Sequence, residues 1–291
     1  MNGLIVTADD FGAAVEVNEA VERAHAGGVL TCASLMVSGA SAADAVARAR
    51  AMPGLGVGLH LVLVEGRPVL PSSQIPALVQ KNGTFREDMV RASFAMALLP
   101  SVRRQLANEI EAQFEAFAAT GLRLDHVNAH KHFYLHPTIA RLVIEIGCHY
   151  GLAAMRAPRE PLSVLRKIEP GAAGGEVERF CAGRLHDRLW AAGIWSPDQV
   201  FGLCWSGAMN AQRLAGLLDN LPDGISEIYL HPATGAYPGA APGYRYTQEY
   251  AALLAPDVAA RACALRKGRF WDFAASDRGD IMGRRRPNGR V

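Results

Sequence analysis

Short apolar runs alternate with amphipathic stretches along most of the chain. The first run, GLIVTA from Gly3 to Ala8, is β-prone and ends in the polar DDFG; apolar Val17, Ala20, Val21 and Ala24 then recur at helical spacing until Gly27-Gly28 stops them. The order repeats. VLTCASLMV (Val29 to Val37) precedes a helical pattern from about Ser41 to Met52, and LGVGLHLVL (Leu55 to Leu63) follows the Pro53-Gly54 break. Three β/α units in succession predict a parallel sheet, because crossover helices are the usual way to join parallel strands.

Residues 64–100 carry Pro, Gly and Ser clusters and read as an insertion. An amphipathic helix follows from Arg103 to Thr120, with Leu106, Ile110, Phe114 and Phe117 on its apolar face. Further strands are predicted at Leu122 to Ala129, Leu152 to Ala157, Gln199 to Trp205 and Glu227 to Pro232, while Pro158 to Pro197 is Gly/Pro-marked and less regular. That makes seven strands. Alternation with helices allows a closed (β/α) barrel or an open doubly wound sheet.

Composition removes several classes of function. Of 291 residues 50% are hydrophobic and 20% charged, and the formal net charge is only +2, which suits a globular protein and not a disordered one. Nor does it suit a partner that tracks nucleic-acid phosphates, which leaves a strong localised basic excess. Five scattered cysteines without a CxxC pair fit neither a disulfide scaffold nor a thiolate zinc site. No basic and apolar leader opens the chain, and the longest stretch free of charge and histidine, Ala26 to Ala43, is broken by glycines and hydroxyl residues. The expectation is a cytoplasmic protein with at most peripheral membrane contact. One domain over 1–275 is expected, with a basic, flexible tail over 276–291 holding Arg284 to Arg286, and base rates favour a homodimer.

In α/β architectures ligands bind at the C-terminal ends of the strands. There this chain gathers its histidines and acids. Strand one ends in Asp9-Asp10, strand three contains His60, strand four runs into His126, Asn128, His130 and His132, strand five ends near Arg156, and the last strand ends at His231. Asp9-Asp10 reads as a helix N-cap pair or as one carboxylate for a cation and one for a proton. His60 alone would be a hydrogen-bonded core residue. His130 and His132, two apart, would share one side of an extended chain with Asn128, and Asp plus two His with an open position is a catalytic metal arrangement. His136, before Pro137, fits a helix start better than a metal site. Histidine as a residue type titrates near neutrality, so His231 could act as a general acid. Arg156 could orient a carboxylate or face solvent. The DFG at Asp10 to Gly12 lacks the rest of a kinase, and GLGVGLH lacks dinucleotide-binding spacing.

TADDFG (7–12), GLHLVL (58–63), NAHKHFYLHP (128–137) and YLHPA (229–233) together resemble the YdjC-like, or ChbG-like, carbohydrate deacetylase family, with the hopanoid-biosynthesis-associated HpnK branch looking closest. The resemblance spans roughly residues 3 to 266. It implies a distorted (β/α) barrel of the deacetylase type and a metal-dependent hydrolase that removes the acetyl group from an N-acetylglucosaminyl sugar, on a hopanoid glycolipid or a soluble chito-oligosaccharide. A non-catalytic sugar- or metal-binding barrel is the contrasting reading. Carried onto this chain, the resemblance implies Asp10, His60 and His130 as ligands of one divalent ion, zinc or magnesium, with Asp9 as base and His231 as acid. Arg156, His132, Asn128 and Lys131 are the expected substrate contacts. Where the common family form reads DSHHHVH this chain reads NAHKHFY, so Asn128 replaces an Asp and Lys131 a His. Phe85, Phe94, Met96, Leu98 and Leu99 of the insertion are expected to offer a lipid an apolar approach or to pack into the core.

Overall fold

The computed structural model describes residues 2–88 and 99–283, with side chains described as far as Ser276. Six parallel strands run in the order β4-β3-β2-β1-β6-β5: β1 (Gly3–Phe11), β2 (Cys32–Leu35), β3 (Gly56–Leu61), β4 (Val127–Ala129), β5 (Gln199–Phe201) and β6 (Ile225–Leu230). A two-residue β7 (Arg266–Lys267) pairs with the start of β1. The strand predicted at Leu152 to Ala157 is reduced to isolated bridges, Met155 to Val127 of β4 and Ala154 to Trp195. It still closes the arc. Arg156 N–H donates to Val127 of β4 at 3.1 Å, and Val200 N–H of β5 donates to Arg159 at 3.0 Å. The result is a distorted parallel barrel whose seam is a single extended segment.

Period-two alternation divides each strand between two environments. Leu4, Val6 and Ala8, then Ala33 and Leu35, then Val57, Leu59 and Leu61, then Ile228 and Leu230, all belong to the large core beneath the outer helices. The intervening positions face inward. At the bottom, Ile5, Cys32, Ala154 and Trp195 meet Phe270, Phe273 and Ala274 of the last helix, which plugs the barrel. Burying a side chain such as Phe270, which is fully enclosed, contributes about 3 kcal/mol. Higher up the interior turns polar, with Thr7, Asp9, Ser34, His60, His126, Asn128, Arg156 and Glu227 all buried.

Predicted helices match Val15–Gly27, Ala42–Ala51 and Pro100–Ala119. The stretch read as irregular holds Leu162–Ile168 and Glu176–Ala191. The 64–100 insertion docks on Pro100–Ala119: Val69 and Leu70 N–H donate to buried Glu109, and Ala77 N–H to Gln105. Its Phe85 packs into the core and Leu99 is half exposed, while Phe94, Met96 and Leu98 lie outside the described residues. The last helix continues to Gly283, past the boundary expected for the tail, and Arg284 to Arg286 lie outside the described residues. Among the described residues no helix is long and apolar enough to cross a membrane.

Candidate functional site

Successive residues of a strand point to opposite faces, so Asp9 and Asp10 should diverge. A bulge changes this. The β1–β2 register shifts between Ala8 and Phe11, and Asp10 takes a left-handed φ of 63°. Asp9 stays on the inner face with Thr7, while Asp10 turns into the mouth.

At the mouth Asp10 meets two histidines. Its Oδ1 lies 3.3 Å from His60 Nε2 and 3.1 Å from His130 Nδ1. His60 comes from β3, and His130 follows the last residue of β4. The expectation that His130 and His132 share one side of a strand is corrected here, because β4 ends at Ala129 and the chain then tightens into a single turn. Lys131 and His132 both adopt left-handed backbone, with φ of 52° and 50°. Each such residue costs about 1–2 kcal/mol, a strain typical of functional sites. The turn sends His132 to Tyr229, whose hydroxyl is 2.8 Å from its Nε2, while its Nδ1 faces the Tyr134 hydroxyl at 3.3 Å. Burial, helped by the charge of Arg156, pushes the His132 pKa down to about 3, so its ring is neutral.

Asn128, paired with His60 across β3 and β4, fixes the tautomer of that histidine. Its Nδ2 donates to Asp9 Oδ1 and to Ser34 Oγ, both at 2.9 Å, so its Oδ1 must be the atom 2.7 Å from His60 Nδ1. His60 therefore carries its proton on Nδ1. Its Nε2 is buried, has no hydrogen-bond partner, and faces a carboxylate oxygen. A cation bound between that nitrogen and the carboxylate would satisfy both, and Asp10, His60 and His130, whose ligand atoms lie within 4.8 Å of one another, fit a divalent metal. Burial lowers the pKa of His130 and Asp10 raises it, with a net rise; Asp10 is held well below the carboxylate range, burial opposing and His130 prevailing.

Beneath this triad Asp9 is clamped. Arg156 donates NH1 to Oδ2 at 2.6 Å and NH2 to Oδ1 at 3.0 Å, and it reaches Glu227 through Nε at 2.9 Å and NH2 at 2.6 Å. Its guanidinium lies 4.3 Å over the Tyr229 ring. Burial pushes the Asp9 carboxyl up, but Arg156, with His60 and His231, more than offsets it, and the group stays ionised. Arg156 is completely buried, as is Asn128, and neither lines the cleft above. Both were expected to touch substrate. Their donors are engaged with Asp9, Glu227 and Ser34, so they are positioning residues.

His231 directly follows β6 and extends its inner row of Glu227 and Tyr229. Its backbone N–H donates to Glu249 Oε2, and its Nδ1 lies 3.9 Å from the same oxygen. Tyr244 packs on the ring at 5.1 Å and is itself held by Ser206, hydroxyl to hydroxyl at 2.8 Å. Burial pushes the Glu249 carboxyl up, partly countered by His231. Lys131 pairs with Glu65 at the rim.

Asp9, Asp10, His60, His130, His132 and His231 all line one cleft of about 480 Å³, walled also by Tyr237, Tyr244, Tyr246 and the polar Glu65 and Arg67. A larger groove of about 740 Å³ beside Glu160, Arg179 and Phe180 contains no cluster of metal-ligating side chains among the described residues. Size therefore does not mark the site. His126, among the histidines of strand four, lies in the barrel interior with Nδ1 3.1 Å from Asp125. Ser34, Glu227, Tyr229 and Glu249 are contributors that motif reading missed, although each inward-facing polar residue sits at period two or three within an apolar element.

Known proteins place this geometry. A crystal structure of an Enterococcus faecalis V583 protein superimposes with a TM-score of 0.72 over 94% of this chain and 98% of that one, at 21% identity, so the fold is shared. The chain is 31% identical over 252 residues to the carbohydrate deacetylase of Geobacillus stearothermophilus, covering 86% of this chain and 87% of that protein. It is 37% identical to the carbohydrate deacetylase of Brevibacillus brevis and 34% identical to the chitooligosaccharide deacetylase of Serratia marcescens. Those matches cover 56% and 54% of this chain and span 65% and 60% of those proteins' own lengths. The family model described as YdjC-like protein matches residues 3–263. The chain belongs to the YdjC-like family.

Proposed function

We propose that the protein is a metal-dependent carbohydrate N-deacetylase that hydrolyses the acetamide of an N-acetylglucosaminyl sugar. The observation that carries this is the orphaned Nε2 of His60 aimed at Asp10 beside a clamped, ionised Asp9. Asp10, His60 and His130 hold the ion. When bound, a divalent cation there acts as a Lewis acid toward the acetyl carbonyl and makes water a better nucleophile at neutral pH.

Amide hydrolysis also needs a base for the attacking water and an acid for the departing nitrogen. Asp9 takes the proton. Its Oδ1 already accepts from Ser34, Asn128 and Arg156, whereas Oδ2 accepts only from Arg156, so Oδ2 is the basic atom. His231 delivers a proton to nitrogen as the C–N bond breaks, leaving acetate and a free amino sugar. Glu249 holds the backbone N–H of His231 and lies beside Nδ1. His132 and Lys131, on the cleft wall, are the substrate contacts, and the tyrosines offer faces for a sugar ring.

Among the described residues of the 64–100 segment, those that line the cleft are the polar Glu65-Gly66-Arg67, which favours a soluble chito-oligosaccharide over a hopanoid glycolipid. Acetate release from diacetylchitobiose and from an N-acetylglucosaminyl lipid, measured side by side on metal-loaded protein, tests both levels. Release from neither sinks the deacetylase reading, and faster release from the lipid overturns the preference for the soluble sugar.

A further inference from the structure

A chain of buried polar groups descends from Asp9 into the barrel. Ser34 Oγ is 3.0 Å from Asp9 Oδ1 and 3.0 Å from His126 Nε2, and His126 Nδ1 is 3.1 Å from Asp125 Oδ2. That same oxygen accepts from the Cys32 thiol at 3.6 Å, and Asp125 Oδ1 accepts from Trp271 N–H at 3.0 Å. Ser34 and His126 are fully enclosed, and Asp125 nearly so. The imidazole is wedged. Phe270 stacks on it at 4.1 Å and 17°, and any Cβ at Gly58 would lie 2.6 Å from three of its ring atoms.

Counting protons along this chain gives one arrangement. Asp9, gripped on both oxygens by Arg156, can only accept. Ser34 already accepts from Asn128 Nδ2 and has one proton, which must go to Asp9 if two oxygens are not to face each other at 3.0 Å. Ser34 then has no proton for His126, so His126 Nε2 must be a donor. Asp125 is likewise an acceptor, already receiving from Cys32 and Trp271, so Nδ1 must donate as well. A neutral imidazole cannot do both. The groups around the ring permit the second proton: Asp125 lies below it, Asp9 with its partner Arg156 lies beyond Ser34, Cys32 is a thiol that burial keeps protonated, and the partly exposed Arg269 interacts with Asp125.

We propose that Asp125, an imidazolium His126 and Ser34 form a buried positioning relay that directs the Ser34 hydroxyl to Asp9 Oδ1 and so reserves Oδ2 for the proton of the reaction. The relay rests on the reading of Asp9 as the base. Its residues touch neither substrate nor metal, and they act only through the orientation and donor count of Asp9.

The protonation state can be read on the unmodified protein. In zinc-loaded enzyme labelled with ¹⁵N-histidine, both ring nitrogens of His126, assigned by their loss in His126→Gln, carry protons across neutral pH. An unprotonated Nε2 overturns the relay, as does a second zinc equivalent that disappears in Cys32→Ala, since Cys32, Asp125 and His126 would then be ligands. In kinetics, Ser34→Ala lowers kcat roughly tenfold, the worth of one hydrogen bond to a charged group. KM and zinc content stay unchanged, and Ser34→Thr restores turnover. Unchanged kcat in Ser34→Ala overturns the relay while leaving Asp9 as base; an active Asp9→Asn enzyme removes the base itself. Should Ser34→Ala fail to fold, the histidine spectrum of the parent still decides.

Discussion

The amide of Asn128 dictates which nitrogen of His60 carries a proton. Its Nδ2 is committed to Asp9 and Ser34, so its Oδ1 accepts from His60 Nδ1 at 2.7 Å, and Nε2 is turned to Asp10. An outer group that orients a ligand in this way is typically worth 10–100-fold in metal affinity, so Asn128→Ala should weaken zinc binding by about that factor. Competition with a chelating indicator measures it. Unchanged affinity would mean that the tautomer is set elsewhere.

Arg156 carries the only positive side-chain charge that hydrogen-bonds Asp9 and Glu227 among the described residues, and all three are enclosed. Replacing it with Met removes one partner of a buried pair and strands two carboxylates, at a cost of about 3–5 kcal/mol. Urea denaturation at neutral pH should show that loss. The pair also sets an acid limit. Because Asp9 ionises in the folded protein well below its ordinary 3.8, its contribution is complete above that pH and is lost as the pH falls toward the folded value. The stability gap between parent and Arg156→Met should narrow on acidification, because the variant's buried carboxyl, without the guanidinium that depresses it, binds its proton in the folded state at a higher pH than the parent's. A gap that widens on acidification would contradict the assigned ionisation.

His231 and Glu249 should separate in their kinetic effects. His231→Ala removes the proton donor to the amine and should lower kcat by about 10²–10⁴, the usual range for general acid catalysis. Glu249→Gln keeps a side-chain oxygen near the His231 backbone but removes the charge beside Nδ1. Its kcat loss should be smaller than that of His231→Ala, because the proton donor itself remains. Steady-state kinetics checks both, and equal losses in the two variants would contradict that separation.

Gly58 faces the His126 ring without room for a methyl group, a Cβ there lying 2.6 Å from ring carbons. Gly58→Ala should cost about 1–3 kcal/mol through overpacking, read as a lower urea midpoint at unchanged slope. A neutral effect would show that the ring can move and that its clamp is loose.

Much of the mouth was legible in the sequence because chemistry at strand ends declares itself: Asp9-Asp10, His60, His130 and His231 are polar groups ending apolar runs, and they converge as their positions require. The interior was harder to read. Ser34 within CASL and Glu227 within ISEIYL look like ordinary polar residues, yet inner-face alternation puts Ser34 above Cys32 and Glu227 below Tyr229 and His231. Glu249 lies three residues after Tyr246 and three before Ala252, on the buried stripe of its helix, where a carboxylate needs a partner. The turn that separates His130 from His132 had no local marker, since its left-handed residues are Lys131 and His132 and not glycine. The barrel seam escaped for the opposite reason: LAAMRA is β-prone, but the segment makes only isolated bridges on its two sides. Arg156 could be read as orienting a carboxylate or facing solvent; which carboxylate it holds follows only from the closed barrel.

Asp9→Asn isolates the base from the ion most cleanly, because Asn can keep the hydrogen bonds of Asp9 in part while losing its charge. Acetate release from diacetylchitobiose and bound zinc should be measured on the same preparations of parent and variant. The predicted result is full zinc occupancy in both and loss of acetate release in Asp9→Asn. Zinc-loaded Asp9→Asn that releases acetate at the parent rate would contradict the assignment of Asp9 as the base.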